Sequence, residues 1–228
     1  MLGSAIGMTA PVIAQDIPNV PEPLVFDMVR PLGAKRGELE INTLVQQNLS
    51  GPDRAVEWAP EIEYAVADGL AIELELPIEG LSVTDYKMGL QGTIGTFAGG
   101  RGIHGIQYLG LYNRGDRRWE STLVYIAGFR FDDRWSTLSM VGFGDVTFSG
   151  PSNRNLIVNH TTFYSLTPQS HLGVEINTRR GGDDFTLVMP QAQFHLARGL
   201  SLQAGLGAAR HSGEPWRPRA GARLIKEF

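Results

Sequence analysis

Apolar residues recur on every second position of this chain, run after run, from Glu38 to the C-terminus. Period two suits a strand with one apolar and one polar face, and it does not suit a helix. From Glu38 to Leu49, Leu39, Ile41, Thr43 and Val45 share one face, and Glu40, Asn42, Gln46 and Asn48 the other. From Val56 to Val66, Trp58, Ile62 and Tyr64 oppose Glu57, Glu61 and Glu63. Asp68-Gly69 then makes a tight turn. Leu70 to Ile78 follows as one strand, with Leu70, Ile72, Leu74 and Leu76 against Glu73 and Glu75. Tyr86 to Ile94 alternates in the same way. The residues 102–113 form a strand whose facing the pattern leaves open. In 117–131, Trp119, Leu123, Tyr125, Phe129 and Phe131 oppose Arg118, Glu120, Thr122 and Arg130. Segments 135–148 and 154–166 alternate less cleanly. Three more runs have their clearest alternation at 171–179, 188–196 and 200–206, and a last run spans 219–228. The total is about twelve strands of roughly ten residues, the length of a tilted membrane-crossing strand.

The 228 residues make one domain large enough to bury a core. No Cys is present, which excludes disulfides, thiolate metal sites and a Cys nucleophile. A net charge of −4 argues against a nucleic-acid partner. Gly is abundant at 28 residues, without a collagen period. Residues 1–14 carry no charge and read as a signal peptide, truncated at its basic end, with Val12-Ile-Ala14 before the cleavage point. Residues 15–36 hold Pro18, Pro21, Pro23 and Pro31 and read as a periplasmic lead-in, free to plug a lumen, dock elsewhere or stay disordered. The barrel would then span 37–228.

A soluble sandwich also alternates, so alternation alone does not choose the solvent. Aromatic residues decide in favour of a membrane. Trp58, Tyr86, Tyr112, Trp119, Phe129, Phe131, Trp135 and Tyr164 fall near strand ends, as interfacial girdles do. The chain also closes an alternating strand with Phe228, the kind of end that barrel-assembly machinery recognises. The expected fold is therefore all-β: a closed antiparallel transmembrane β-barrel of about twelve strands, in the bacterial outer membrane among its lipids.

The stretch Pro60-Glu-Ile-Glu-Tyr-Ala-Val-Ala-Asp-Gly-Leu-Ala-Ile-Glu-Leu-Glu-Leu-Pro77 resembles a hairpin of Gram-negative outer-membrane proteins grouped as phenol meta-pathway degradation transporters. Ala65 stands where Gly is common in that family. The resemblance implies a barrel acting as transporter or channel, and no catalytic residues.

Glu57, Glu61, Glu63, Glu73 and Glu75 form the strongest local feature, since same-face residues on paired strands meet. Arg118, Arg130, Arg179 and Arg223, with Glu175, fall on the inward register of later strands. The expectation is a lumen crossed by Glu–Arg networks. They either brace a plugged barrel that docks a partner, or line a charged path for passive passage of small solutes. The path is the preferred function, with no enzyme activity, cofactor or metal. Strand count does not settle pore size, because twelve lies between a filled eight-stranded barrel and an open sixteen-stranded one. A third reading is a lipid hydrolase built on His160 and Thr162, two apart on one strand, but no third member is visible.

Overall fold

The protein is described by a computed structural model for residues 17–144, 146, 155–182 and 184–228. The signal peptide read at 1–14 lies outside the described residues. The strands are β1 (Leu39–Asn48), β2 (Glu57–Ala67), β3 (Leu70–Glu75) and β4 (Asp85–Phe97). Then come β5 (Gly102–Asn113), β6 (Arg118–Arg130), β7 (Trp135–Gly144) and β8 (Asn155–Thr167). The last four are β9 (Ser170–Arg180), β10 (Phe185–Ala197), β11 (Leu200–His211) and β12 (Arg217–Glu227). Each pairs antiparallel with the next, and β1 pairs with both β2 and β12, so the sheet closes into a barrel with no free edge.

One expected strand, Leu70 to Ile78, is interrupted. Pro77 has no N–H for the ladder, so regular pairing stops at Glu75 and resumes at Ile78–Glu79. A small ribbon with Ser82–Val83 carries the chain into β4. Phe131 is also displaced from its expected strand: β6 stops at Arg130, and Phe131 opens the following turn.

The links after β2, β4, β6, β8 and β10 are tight and lie at one end of the barrel. Phe228 lies there too, its N–H donating to Leu39 O at 3.0 Å beside the start of β1. Short turns and both barrel termini mark the periplasmic end. The longer link 49–56 leaves the opposite end, which is the outer one.

The outer wall carries Ile41, Ile62, Leu90, Leu123, Val141, Val158, Ile176 and Leu224, all exposed. So continuous an apolar surface suits hydrocarbon and not water. Aromatic residues bound it at both ends and cations lie over several of them. At the outer rim Arg114 lies 5.5 Å from the Tyr86 ring centre and Arg210 5.1 Å from that of Trp216. At the periplasmic rim Arg101 covers Phe129, Arg134 covers Tyr164 and Lys226 covers Phe228. Each pair places an apolar ring at the hydrocarbon edge and a charge in the headgroup layer.

Ile62 sits midway along β2 on this wall. Ile62→Arg is expected to destabilise the barrel by about 2–4 kcal/mol. Urea titration of the protein folded into lipid vesicles measures this.

Candidate functional site

The lumen contains the chain's own N-terminal segment. Residues 17–36 enter from the periplasmic end, rise to mid-height and return. Asn19 and Pro21 lie by the turns at Asp132 and Pro168. Val25 and Asp27 reach the outer vestibule. Ala34 is back at the periplasmic end, where its carbonyl accepts the Gly69 N–H at 2.8 Å.

Four prolines keep this segment out of both helix and ladder, so its buried backbone groups need side-chain partners. The barrel wall supplies them. Glu175, fully buried on β9, accepts the N–H groups of Leu24, Val25 and Phe26 at 3.0, 3.0 and 2.6 Å. Asn177 and Gln191 also donate to its carboxylate. Gln107 accepts from Val29 N at 3.0 Å and donates to Asp27 O at 2.8 Å. Gln91 donates to Arg30 O at 2.5 Å and Gln203 to Glu22 O at 3.1 Å. Thr93 accepts from Gly33 N at 2.8 Å.

Apolar side chains of the segment fill apolar sockets in the wall. Met28 and Leu32 pack with Ile103, Val124, Ile126, Leu138, Met140 and Phe163. Leu24 packs with Leu44, Leu187, Met189 and Ala209. Lumen-facing glycines make the room. A Cβ built on Gly89 would stand 2.5 Å from Val29 Cγ2, one on Gly105 2.6 Å from Leu32 Cδ2, and one on Gly205 2.7 Å from Leu24 Cδ2. Full burial of a leucine such as Leu24 contributes about 1.5–3 kcal/mol.

The segment is also ion-paired to the acidic wall. Arg30 Nη1 lies 2.6 Å from Glu40 and 3.9 Å from Glu63, and its Nη2 lies 3.3 Å from Glu38. Lys87 on β4 joins Asp27 of the segment to Glu73 and Glu75 of β3. Burial works against the Arg30 charge, but Glu40, Glu22 and Glu63 outweigh it and hold its pKa above the usual value. Burial and then the Glu40 carboxylate push the Glu22 carboxyl up to about 8, while Arg30 and Arg223 pull it back.

All twelve strands carry a lumen-facing residue no more than 2% exposed, from Glu40 on β1 through Gln107 on β5 and Glu175 on β9 to Arg223 on β12. The segment therefore covers part of the lumen wall on every strand. Beyond it lie a vestibule of about 380 Å³ at the outer end and a cavity of about 440 Å³ at the periplasmic end.

Glu61, Glu63, Glu73, Glu75, Glu175 and Arg223 are buried inside the barrel. Glu57 stands at the outer mouth, paired to Arg219 at 2.5 Å. The expected Glu–Arg networks are corrected in their partners. Arg118, Arg130 and Arg179 keep the inward register but lie at strand ends. Arg118 lies 3.9 Å from Glu120, Arg130 lies 3.3 Å from Asp133, and Arg179 stacks on Phe185. Arg223 lies against the acidic wall, 3.9 Å from Glu61. Arg30 and Lys87 supply the other buried cations. Trp58, Tyr86, Trp119, Phe131 and Trp135 are exposed on the outer surface and Phe129 half-buried, with Phe228 exposed at the periplasmic end.

His160 and Thr162 face the lipid, and Ser139 of β7 joins them. His160 Nδ1 lies 2.8 Å from Ser139 Oγ and Nε2 lies 3.1 Å from Thr162 Oγ1. This group sits four residues from both Leu156 and Tyr164, about 13 Å along the strand from either end of the lipid face. That is the depth of acyl chains, not of ester carbonyls. The ladder between β7 and β8 runs straight through the site, so no turn presents free N–H groups to an oxyanion. Asp132 serves its turn instead: Trp135 and Arg134 N–H groups bind its carboxylate and hold its pKa below the usual value.

Comparison with known proteins agrees on the fold. A family model described as HAEPLYID-like matches residues 19–92, which hold the lead-in and most of the acidic wall. None of the curated proteins matches the sequence. An outer membrane channel from Pseudomonas putida F1 superposes with a TM-score of 0.63 at 14% identity, covering 89% of this chain and 100% of that one. The NanC porin gives 0.62 at 8% identity, over 82% and 98% of the two chains. The KdgM porin gives 0.61 at 8% identity, over 83% and 99%. The fold is thus that of the twelve-stranded outer-membrane barrel channels.

Glu175→Ala would leave three successive N–H groups, one buried and two half-buried, without this acceptor, at a cost of about 1–3 kcal/mol for a buried group. The lead-in should come loose while the barrel stays folded. Limited proteolysis of the variant in detergent should cut residues 17–36 at least tenfold faster than wild type.

Proposed function

We propose that this protein is an outer-membrane channel for small solutes, held shut by its own N-terminal segment. The observation that carries the reading is the segment seated inside the lumen, its backbone held by Glu175 and Gln107 of the wall. Removing the segment would leave a twelve-stranded lumen wide enough for a small-solute path. The likeness to porin and channel barrels supports the reading, as does the hairpin at residues 60–77 with its resemblance to the phenol-pathway transporter family. The vestibule lining sets the preference among solutes. Asp27, Glu57, Glu61, Glu75, Glu79 and Asp85 outnumber Lys87 and Arg223, so small cations are favoured over anions.

A cross-link tests the gate directly. The chain has no Cys, so Val29→Cys with Gly89→Cys introduces a single pair where Val29 and Gly89 are in contact. In planar bilayers the oxidised variant should stay silent, and reduction should bring cation-selective openings. Equal conductance in both states would rule out the segment as gate.

Glu22 adds a pH dependence. Its carboxyl ionises near 4.5 in water but only near 8 in the seated segment. The seated form therefore holds an extra proton between those values, and seating weakens as pH rises through that window. Open probability should climb from pH 4.5 to pH 8 in wild type and stay flat in Glu22→Gln.

A further inference from the structure

Four carboxylates meet at the floor of the outer vestibule. Asp27 comes from the lead-in, Glu61 from β2, and Glu73 and Glu75 from β3. Each offers an oxygen within 4.8 Å of the others. Glu61 and Glu75 stand directly opposite across the ladder, a placement that repels when both are charged. The cations at hand are Lys87, in contact with Asp27, Glu73 and Glu75, and Arg223, 3.9 Å from Glu61. Two positive charges against four negative ones leave a deficit equal to one divalent ion.

A separate observation points to a ligand. Glu73 is 1% exposed, and neither of its carboxylate oxygens receives a hydrogen bond. Lys87 Nζ lies 3.0 Å from Oε1, while Oε2 has no partner. A buried carboxylate oxygen is normally satisfied by donors, so the Glu73 carboxylate, which offers an oxygen to the cluster, has unused capacity there.

We propose that Asp27, Glu61, Glu73 and Glu75 form a calcium site that fastens the lead-in to the barrel wall. The donors are all hard oxygens, with no nitrogen or sulfur, which suits calcium over a transition metal. Four carboxylates, some bidentate, can fill calcium's six to eight positions. Asp27, Glu61 and Glu75 also line the vestibule, so an ion from the outer side has a way in. Lys87 stands on a flexible four-carbon stem and can swing its ammonium toward Asp85 or Glu79 as the ion enters. Because one ligand belongs to the segment and three to the wall, the bound ion holds the gate shut. That consequence rests on the segment being the gate; the binding site does not.

The test uses full-length protein in detergent, stripped with EDTA and titrated with terbium(III) as a luminescent calcium surrogate. The expected result is a saturable signal that calcium displaces. Glu73→Gln and Asp27→Asn should each weaken it at least tenfold, and Asp133→Asn at the periplasmic turn should leave it unchanged. Asp27→Asn leaves every wall residue in place, so it reads the site even where Glu73→Gln fails to fold. Absence of a saturable signal, or equal affinity in Asp27→Asn, overturns the site. Saturating calcium should also slow proteolysis of residues 17–36 at least tenfold. Terbium binding without that protection overturns the fastening. Neither measurement depends on conductance, so a silent bilayer experiment would remove the channel reading and leave the calcium site standing.

Discussion

An irregular chain segment inside a barrel has no water and no ladder to satisfy its backbone, and that constraint organises the whole lumen. Glu175 answers it most directly. One carboxylate takes three successive N–H groups, something no neutral side chain offers. Charge-assisted bonds of this kind are about twice as strong as neutral ones. They turn the segment at Leu24 to Phe26, and the rest of its path follows from that bend. Four inward glutamines, Gln91, Gln107, Gln191 and Gln203, are the second tier. Three of them read the segment's backbone and the fourth steadies Glu175. An amide that both donates and accepts suits a wall facing peptide groups better than a charge would.

The same constraint explains why the lumen has two unlike halves. The wall from β1 to β4 is acidic and meets Arg30. The wall from β6 to β8, with β10, is apolar and meets Leu24, Met28 and Leu32. A water-filled lumen would be polar all round. Here the interior is a small protein core, with an amphipathic peptide as its centre. Arg30 and Lys87 tie the two components together: Arg30 of the segment contacts Glu40 and Glu63 of two wall strands, and Lys87 of the wall contacts Asp27 of the segment as well as Glu73 and Glu75.

Much of the barrel was legible in the sequence. Strand number, closure, tight turns and rim aromatics follow from period-two alternation, Asx-Gly pairs and residue placement, which are local signals. The strands that resisted, 102–113, 135–148 and 154–166, now have a physical reason. Ile103, Leu138, Met140, Ile157 and Phe163 face inward against the lead-in while apolar partners face lipid, so both faces are apolar and the period fades. The acidic wall was also legible, but its partners were not. Arg30 lies in a segment without any period, and nothing local says that it lies 2.6 Å from Glu40. Lys87 lies on a polar face, but one lysine among glutamates carries no motif. One signal is present in the sequence: glycines on the inward register at Gly89, Gly105 and Gly205 mark where side chains of the lead-in approach.

On the proposed gating, the strength of the seal and its reversibility come from the same design. The barrel is a closed ladder, and opening it means breaking many backbone bonds at once. The lead-in makes no ladder of its own, and its attachments are single side-chain bonds and packing contacts. Elements with few cooperative bonds open at lower free energy than the scaffold around them. Segment and wall also differ in how they respond to charge. Neutralising or ionising Glu22, or moving a cation near Asp27, changes the balance on the segment while the ladder is untouched. A seal built from the wall itself would have to deform the barrel to open. A seal built from a tethered, side-chain-held strand of chain can leave the lumen and return, because residues 34–38 stay stitched to the β2–β3 hairpin through Gly37, Ala65 and Gly69.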